Sequence, residues 1–356
     1  MEKFTPYVGQ FVIQLTYAGM NVIVRLALQD GLSHYAFVTY RQAIATLAIL
    51  PFAYVIEREQ RPKMTWFILL QIFLLASGIT VSQNFYFQGV YYTSATFGSA
   101  ALNLIPIITF VMATFVRLER FDIRTLRGKA KLAGTIVCVS GAMIMTFYKG
   151  PSFRMSSSSA HETSNPKSVN NNMALGSILV YGGITAWSAW IAFQGPVIKR
   201  YPAYLSLTTL TCLFAAVQSG LVGIICERNK LTVWAIRSNI QLLSVLYSGI
   251  ICSAIGFYVQ AWCIQKKGPV FVGVFSPLCT ISTAVLEFLL LHVSLYLGSL
   301  LGAFFIILGL YSALWGKAKD QQKTDEMPSG DKEAQAHAQQ PKEKSPQLLR
   351  KEESIV

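Results

Sequence analysis

The chain has 356 residues, of which 53% are hydrophobic and only 13% charged, whereas about a quarter of the residues in a soluble domain carry charge. With a mean hydropathy of +0.45, this excludes an ordinary globular protein. The net charge of +13 lies in short loops and a C-terminal tail, not in a basic domain, so nucleic acid is not expected as a partner.

A membrane-spanning helix needs about 20 mostly apolar residues. Ten such runs can be marked: Val8–Leu28, Ala36–Ile56, Trp66–Tyr86, Ala95–Leu118, Lys131–Tyr148, Ala174–Gly195, Tyr204–Cys226, Ile240–Ile264, Val270–Leu291 and Tyr296–Trp315. The first follows Glu2 and Lys3 without a small-residue cleavage site and reads as a spanning helix, not a signal peptide. Its Tyr17 and Asn21 share one face at a spacing of one turn, and Arg25 lies near its far end. Arg41 sits about a turn and a half into the second run. The third carries Gln83 and Asn84 and is separated from the fourth only by Gly89 to Ser94. In the fourth, Ser99, Asn103 and Pro106 share a face. Pro106 in mid-run frees a carbonyl near Leu102.

The sixth run holds Trp187 and Trp190, the eighth Ser253, Phe257 and Gln260, and the ninth Ser276, Pro277 and, near its end, Glu287. Taken singly, each polar group is accounted for by helix packing. As a set on several spans they suit a lined substrate cavity. Arg25, Arg41 and Glu287 are candidate gate residues, with Glu287 pairing with one of the two arginines. Six cysteines lie in or at the ends of apolar runs without CxxC spacing, as packing residues. Four scattered histidines make no catalytic or metal-spaced cluster, so no enzyme, metal or cofactor is expected.

Sixteen Lys and Arg fall on the side that carries both termini and six on the other, which places both termini in the cytoplasm. Residues 150–173, Ser-rich and polar, form a flexible outer linker. The tail 317–356 is rich in Lys, Glu and Gln and is expected to be disordered.

The two halves echo each other. Ser77-Gly78-Ile79 recurs as Ser248-Gly249-Ile250, Pro106 as Pro277, Glu57-Arg58 as Glu227-Arg228, and Gly134 and Gly141 as Gly302 and Gly309. Residues 1–149 and 174–316 are therefore two units of five helices each. Five is odd, so the second unit enters the membrane from the opposite side. The fold expected is all-α and integral to the membrane, with ten transmembrane helices as two inverted repeats, an architecture of alternating-access transporters.

Several stretches carry a family resemblance: YAGMN (17–21), YRQAIATL (40–47), YTSATF (92–97) with Asn103 and Pro106 beyond it, KRYPAYLSLT (199–208), GPVFV (268–272) and GLYSALWGK (309–317). In these the chain resembles the plant EamA-domain members of the drug/metabolite transporter superfamily, the nodulin-21-like, walls-are-thin-related or UMAMIT family. The resemblance implies two EamA units and transport of amino acids or of organic acids such as auxin. It implies a central cavity ringed by helices one, three, four, six, eight and nine. It also implies the plasma membrane, with the vacuolar membrane as the alternative. Relatives carry a Gly-Glu pair before the last span; Leu291-His292-Val293 replaces it here, while the first-half Glu119 is kept. The expected partners are the bilayer and a small-molecule substrate. The competing reading is a membrane-embedded metabolite receptor or scaffold. Oligomeric state is not legible.

Overall fold

The structure, a computed structural model, describes residues 4–59, 61–93, 95–115, 125–148, 151–153, 173–228, 234–291 and 295–326. These are almost entirely helical. The first half holds α1 (Thr5–Gln29), α2 (His34–Ile56), α3 (Trp66–Tyr92), α4 (Ala95–Leu102), α5 (Ile105–Phe115) and α6 (Leu126–Phe147). The second holds α7 (Met173–Arg200), α8 (Tyr204–Cys226), α9 (Asn239–Tyr247), α10 (Gly256–Lys267), α11 (Pro269–Leu291) and α12 (Leu297–Glu326). A π-helical segment, Ser248–Ile255, joins α9 to α10. Seven of the described helical stretches, with α9 through α10 taken as one, are long and apolar enough to cross a membrane. Their outer face is apolar: Trp66 is 82% exposed and Val55 74%. Lipid tails tolerate such a surface, and helices satisfy their own backbone polar groups within it.

Local chemistry sets where the helices begin. Thr65, Thr125 and Ser238 each accept a hydrogen bond from the amide three residues on, and so cap α3, α6 and α9. Gly31 (φ 89°) and Gly268 (φ 82°) take up the left-handed conformation that turns the chain between α1 and α2 and between α10 and α11.

Five expectations are corrected. The fourth apolar run is not one helix: it breaks at Asn103 and Leu104, and Pro106 lies in the first turn of α5 instead of mid-helix. Proline lacks the amide and crowds the carbonyl of Leu102, so the chain restarts there. Gly89 is not a joint, because α3 runs on to Tyr92. A Cβ at Gly89 would lie 2.7 Å from the Val180 amide and 2.8 Å from the Gly176 carbonyl, which makes it a contact point for α7. The eighth run widens into the π-helical turn, through small residues such as Ser248, Gly249 and Ser253. α12 continues to Glu326, into the stretch expected to be disordered, because Lys, Ala, Gln and Glu favour helix. Finally, Ser152 and Phe153 pair antiparallel with Tyr296 and Leu295, a ladder too short for any sequence pattern to announce. The rest of the linker, Glu119, His292, Val293 and the tail beyond Glu326 lie outside the described residues.

Packing joins the halves. α2 lies against α8, α3 against α7, α1 against α11, α5 against both α11 and α7, and α6 along α12. The α6–α12 seam is closed by glycine: a Cβ at Gly134 would come 2.7 Å from the Gly309 carbonyl, and one at Gly141 would come 2.9 Å from that of Gly302. Close backbone approach of this kind is how helices associate where lipid removes the hydrophobic drive. Gly134→Leu is expected to force the seam apart at about 1–3 kcal/mol or more and to remove the monodisperse peak on size-exclusion chromatography in detergent. Gly182→Ala, whose added Cβ would meet nothing closer than 3.4 Å, is expected to leave that peak intact.

Candidate functional site

Two polar stripes face each other across α1 and α11. Tyr17, Asn21 and Arg25 recur every fourth residue on α1, and Cys279, Thr283 and Glu287 do so on α11, so each set lines one helix face. Arg25 Nη1 donates to Glu287 Oε1 at 2.7 Å. One turn deeper, Asn21 Nδ2 donates to Thr283 Oγ1 at 3.3 Å and reaches Cys279 Sγ at 3.5 Å. The Arg25 side chain is 51% exposed and that of Glu287 24%, so the pair sits at the exposed end of the seam. An ion pair this exposed contributes at most about 1 kcal/mol. On a neighbouring part of α11, Thr280 Oγ1 donates to Asn103 Oδ1 at 3.0 Å, exactly where the α4–α5 break leaves that side chain buried.

At the buried end of the stripe lies a second group. Arg41 does not meet Glu287. Its Nε donates to Ser253 Oγ at 2.6 Å, and its guanidinium lies 5.9 Å from the centre of the Phe257 ring. Phe257 in turn packs on Trp190 at 4.9 Å and Trp187 at 6.3 Å, and the two indoles are 4.7 Å apart. Arg41, Ser253, Phe257 and Trp190 are all buried. The Tyr17 hydroxyl, also buried, has no hydrogen-bond partner among the described residues, nor does Trp190 Nε1.

The remaining candidates are placed less tightly. Gln83 and Gln260 are buried, with Gln83 Oε1 and Gln260 Nε2 unpartnered. Asn84 Nδ2 donates back to the Thr80 carbonyl of its own helix at 2.8 Å. Pro277 stays inside a continuous α11, and Ser276 beside it is half-buried. The side chain of Ser99 lies outside the described residues. Two cavities, of about 370 and 190 Å³, lie along α1 against α10 and the π-helical segment. None of the candidate residues lines these two cavities.

Two glutamates tie opposite ends of the bundle. α8 begins after Ala203, which cannot cap it. Glu57, at the end of α2, supplies the cap instead: its carboxylate accepts from the amides of Leu205 (2.8 Å) and Ser206 (2.7 Å) and from the Ser206 hydroxyl (2.7 Å). At the other end, Glu227, at the end of α8, accepts from Ser33 Oγ at 2.6 Å. Ser33 is itself the cap of α2, accepting from the Tyr35 amide at 3.2 Å. Sequence reasoning paired these glutamates as repeat markers but assigned them no contact. It also passed over Thr280, Thr283 and Cys279; the four-residue spacing of 279, 283 and 287 was the available signal. Glu57 makes three bonds, whereas Glu227 makes one and leaves a buried oxygen, Oε2, unpartnered. Glu57→Ala is therefore expected to cost about 1–3 kcal/mol, and Glu227→Ala distinctly less, read as melting temperature in detergent. Equal shifts would contradict the asymmetry.

Comparison with known proteins follows the same lines. The EamA-like transporter family matches residues 7–147 and again 174–315. Protein WALLS ARE THIN 1 of Arabidopsis thaliana is 41% identical over 90% of this chain and 85% of its own length. A WAT1-related protein of Arabidopsis thaliana is 42% identical over 90% of this chain and 82% of its own length. A solved crystal structure superposes with a TM-score of 0.67 at 15% identity, covering 87% of this chain and 98% of that one; at that identity the likeness is one of fold. Two matches to the family model that together span most of the chain, and relatives this similar over nearly their full length, have one meaning: the chain belongs to the EamA-like transporter family, among its WAT1-related plant members.

Proposed function

We propose that the chain is a secondary transporter or facilitator of small organic metabolites, either amino acids or auxin-like organic acids. In this reading residues 1–149 and 174–316 are two inverted five-helix repeats that rock about a central site. Residues 150–173 link them outside the membrane, and 317–356 form the cytoplasmic tail. Both termini face the cytoplasm, following the excess of Lys and Arg on their side, and the plasma membrane is the favoured location over the vacuolar one.

The observation that carries the reading is the packing itself. Exchange the halves, so that α1 becomes α7, α2 becomes α8, α3 becomes the α9–α10 stretch, α4 with α5 becomes α11, and α6 becomes α12. The contacts α2–α8, α5–α11 and α6–α12 map onto themselves. The contact α1–α11 maps onto α7–α5, and α3–α7 onto the contact of α9 and α10 with α1. Each half also carries its glutamate at the end of the corresponding helix, and the two glutamates hold opposite ends of the bundle. A molecule of this kind has two equivalent ways to close, which is what alternating access requires. In the present conformer both ends are held, by the Glu57 cap at one and by the Arg25–Glu287 pair and the Glu227–Ser33 bond at the other. A receptor or scaffold, the competing reading, has no need of two such closures, and no convergent catalytic group favours an enzyme.

Counterflow of labelled glutamine and labelled indole-3-acetate into proteoliposomes tests the reading directly. The wild type is expected to exchange at least one of them well above empty liposomes; binding without flux would favour the receptor. The proposed gate has its own signature. Glu287→Arg is expected to lower exchange, and adding Arg25→Glu to restore a good part of it; a double variant no better than Glu287→Arg removes the gate from the mechanism.

A further inference from the structure

We infer that Arg41 binds a carboxylate of the transported solute, which rests on the transport reading above and narrows its substrates to small molecules with a free monoanionic carboxylate. Arg41 is 4% exposed at a depth where a lone charge is costly. Glu287 is paired with Arg25, and no carboxylate among the described residues is bonded to Arg41. Its hydrogen bonding is confined to Nε, which donates to Ser253 Oγ. Phe257 receives the guanidinium on its ring face, a weak interaction that does not engage the in-plane N–H groups. The fork of terminal nitrogens, the part of arginine that matches a carboxylate in bidentate fashion, has no acceptor among the described residues.

The groups around it are unmatched in the same sense. Tyr17 lies within electrostatic range of Arg41, and its buried hydroxyl has no partner. Trp190, packed on Phe257, has a buried Nε1–H without an acceptor. Donors gathered without an acceptor call for an acceptor-rich guest. The charge balance limits that guest. Among the buried described residues Arg41 is the single cation, so one negative charge is neutralised and a doubly charged phosphate ester is not. Trp187, Trp190 and Phe257 offer an apolar face to the rest of the solute. The stripe Tyr17–Asn21–Arg25 leads to the group from the exposed end of the α1–α11 seam.

The test compares acids with their amides on the purified full-length chain, using glutamine against glutaminamide and indole-3-acetate against indole-3-acetamide. Binding is read by shift in melting temperature, and exchange in proteoliposomes separately. For the acid that binds, the amide is expected to be weaker by about 30-fold or more, the loss typical of removing one partner from a buried charge pair. Arg41→Gln is expected to abolish that preference, and Arg41→Lys to keep part of it, since it retains the charge but not the fork. An amide as good as its acid in the wild type, or acid binding by Arg41→Gln at wild-type strength, overturns the inference. Should Arg41→Gln not fold, the acid–amide comparison on the wild type decides alone. Acid binding that depends on Arg41 without exchange upholds this inference and defeats the transport reading. Exchange of amides on a par with acids upholds transport and defeats this inference.

Discussion

The first amides of a helix need acceptors, and inside an apolar bundle water does not supply them. In α8 that need is met from another helix: Glu57, at the end of α2, lays its carboxylate on the amides of Leu205 and Ser206. The start of α8 is thus fixed to the end of α2, and the two halves of the chain are joined where they would otherwise part. At the other end Glu227 braces Ser33, the cap of α2. Ser33 and Ala203 stand at the same offset of 170 that separates Glu57 from Glu227. One half caps its helix with its own serine and adds a glutamate. The other has an alanine there and relies on the glutamate entirely. A sequence-level repeat has become two unequal latches at opposite ends of one structure.

The interior follows from the same scarcity of water. Helices that cannot gain by hiding apolar faces from lipid come together through glycine contacts, as along α6 and α12, or through polar pairs, as along α1 and α11. The polar seam is one-sided. At the offset of 170, Tyr17 corresponds to Trp187, and Asn21 and Arg25 correspond to Ile191 and Gly195. The α1 stripe is polar and ends in a charge, whereas the corresponding positions on α7 are aromatic, aliphatic and glycine. The two halves share a frame and differ in what they present to a solute.

Much of this was legible in the sequence. Length and composition identify a membrane protein; the apolar runs locate the helices; and the echoes at Gly134, Pro106 and Glu57 point to a duplicated unit. The Trp187–Trp190–Phe257 cluster and the residues flanking it were singled out from polar and aromatic residues within apolar runs. What could not be read was which way a helix turns and which partner a side chain takes. Pro106 and Pro277 look alike in sequence, yet one begins a helix and the other rides inside one, since Asn103 precedes the first and its side chain is engaged by Thr280. Arg41 and Arg25 looked equivalent as partners for Glu287. Only the three-dimensional path of α2 past the π-helical segment directs Arg41 to Ser253. Glu57 and Glu227 were visible as markers, but capping between helices remote in sequence has no local pattern.

The central claim is that the two ends of the bundle open in opposition. Pulsed electron–electron resonance on spin-labelled protein in lipid nanodiscs measures this most directly. One label pair, at Arg58→Cys and Pro202→Cys, reports the Glu57 end; a second, at Asp30→Cys and Arg228→Cys, reports the Glu227 end; all four positions are exposed. With a transported solute added, the account predicts that one distance distribution shifts to longer values as the other shifts to shorter ones. Distances that stay fixed at both ends, or that lengthen together, would contradict it.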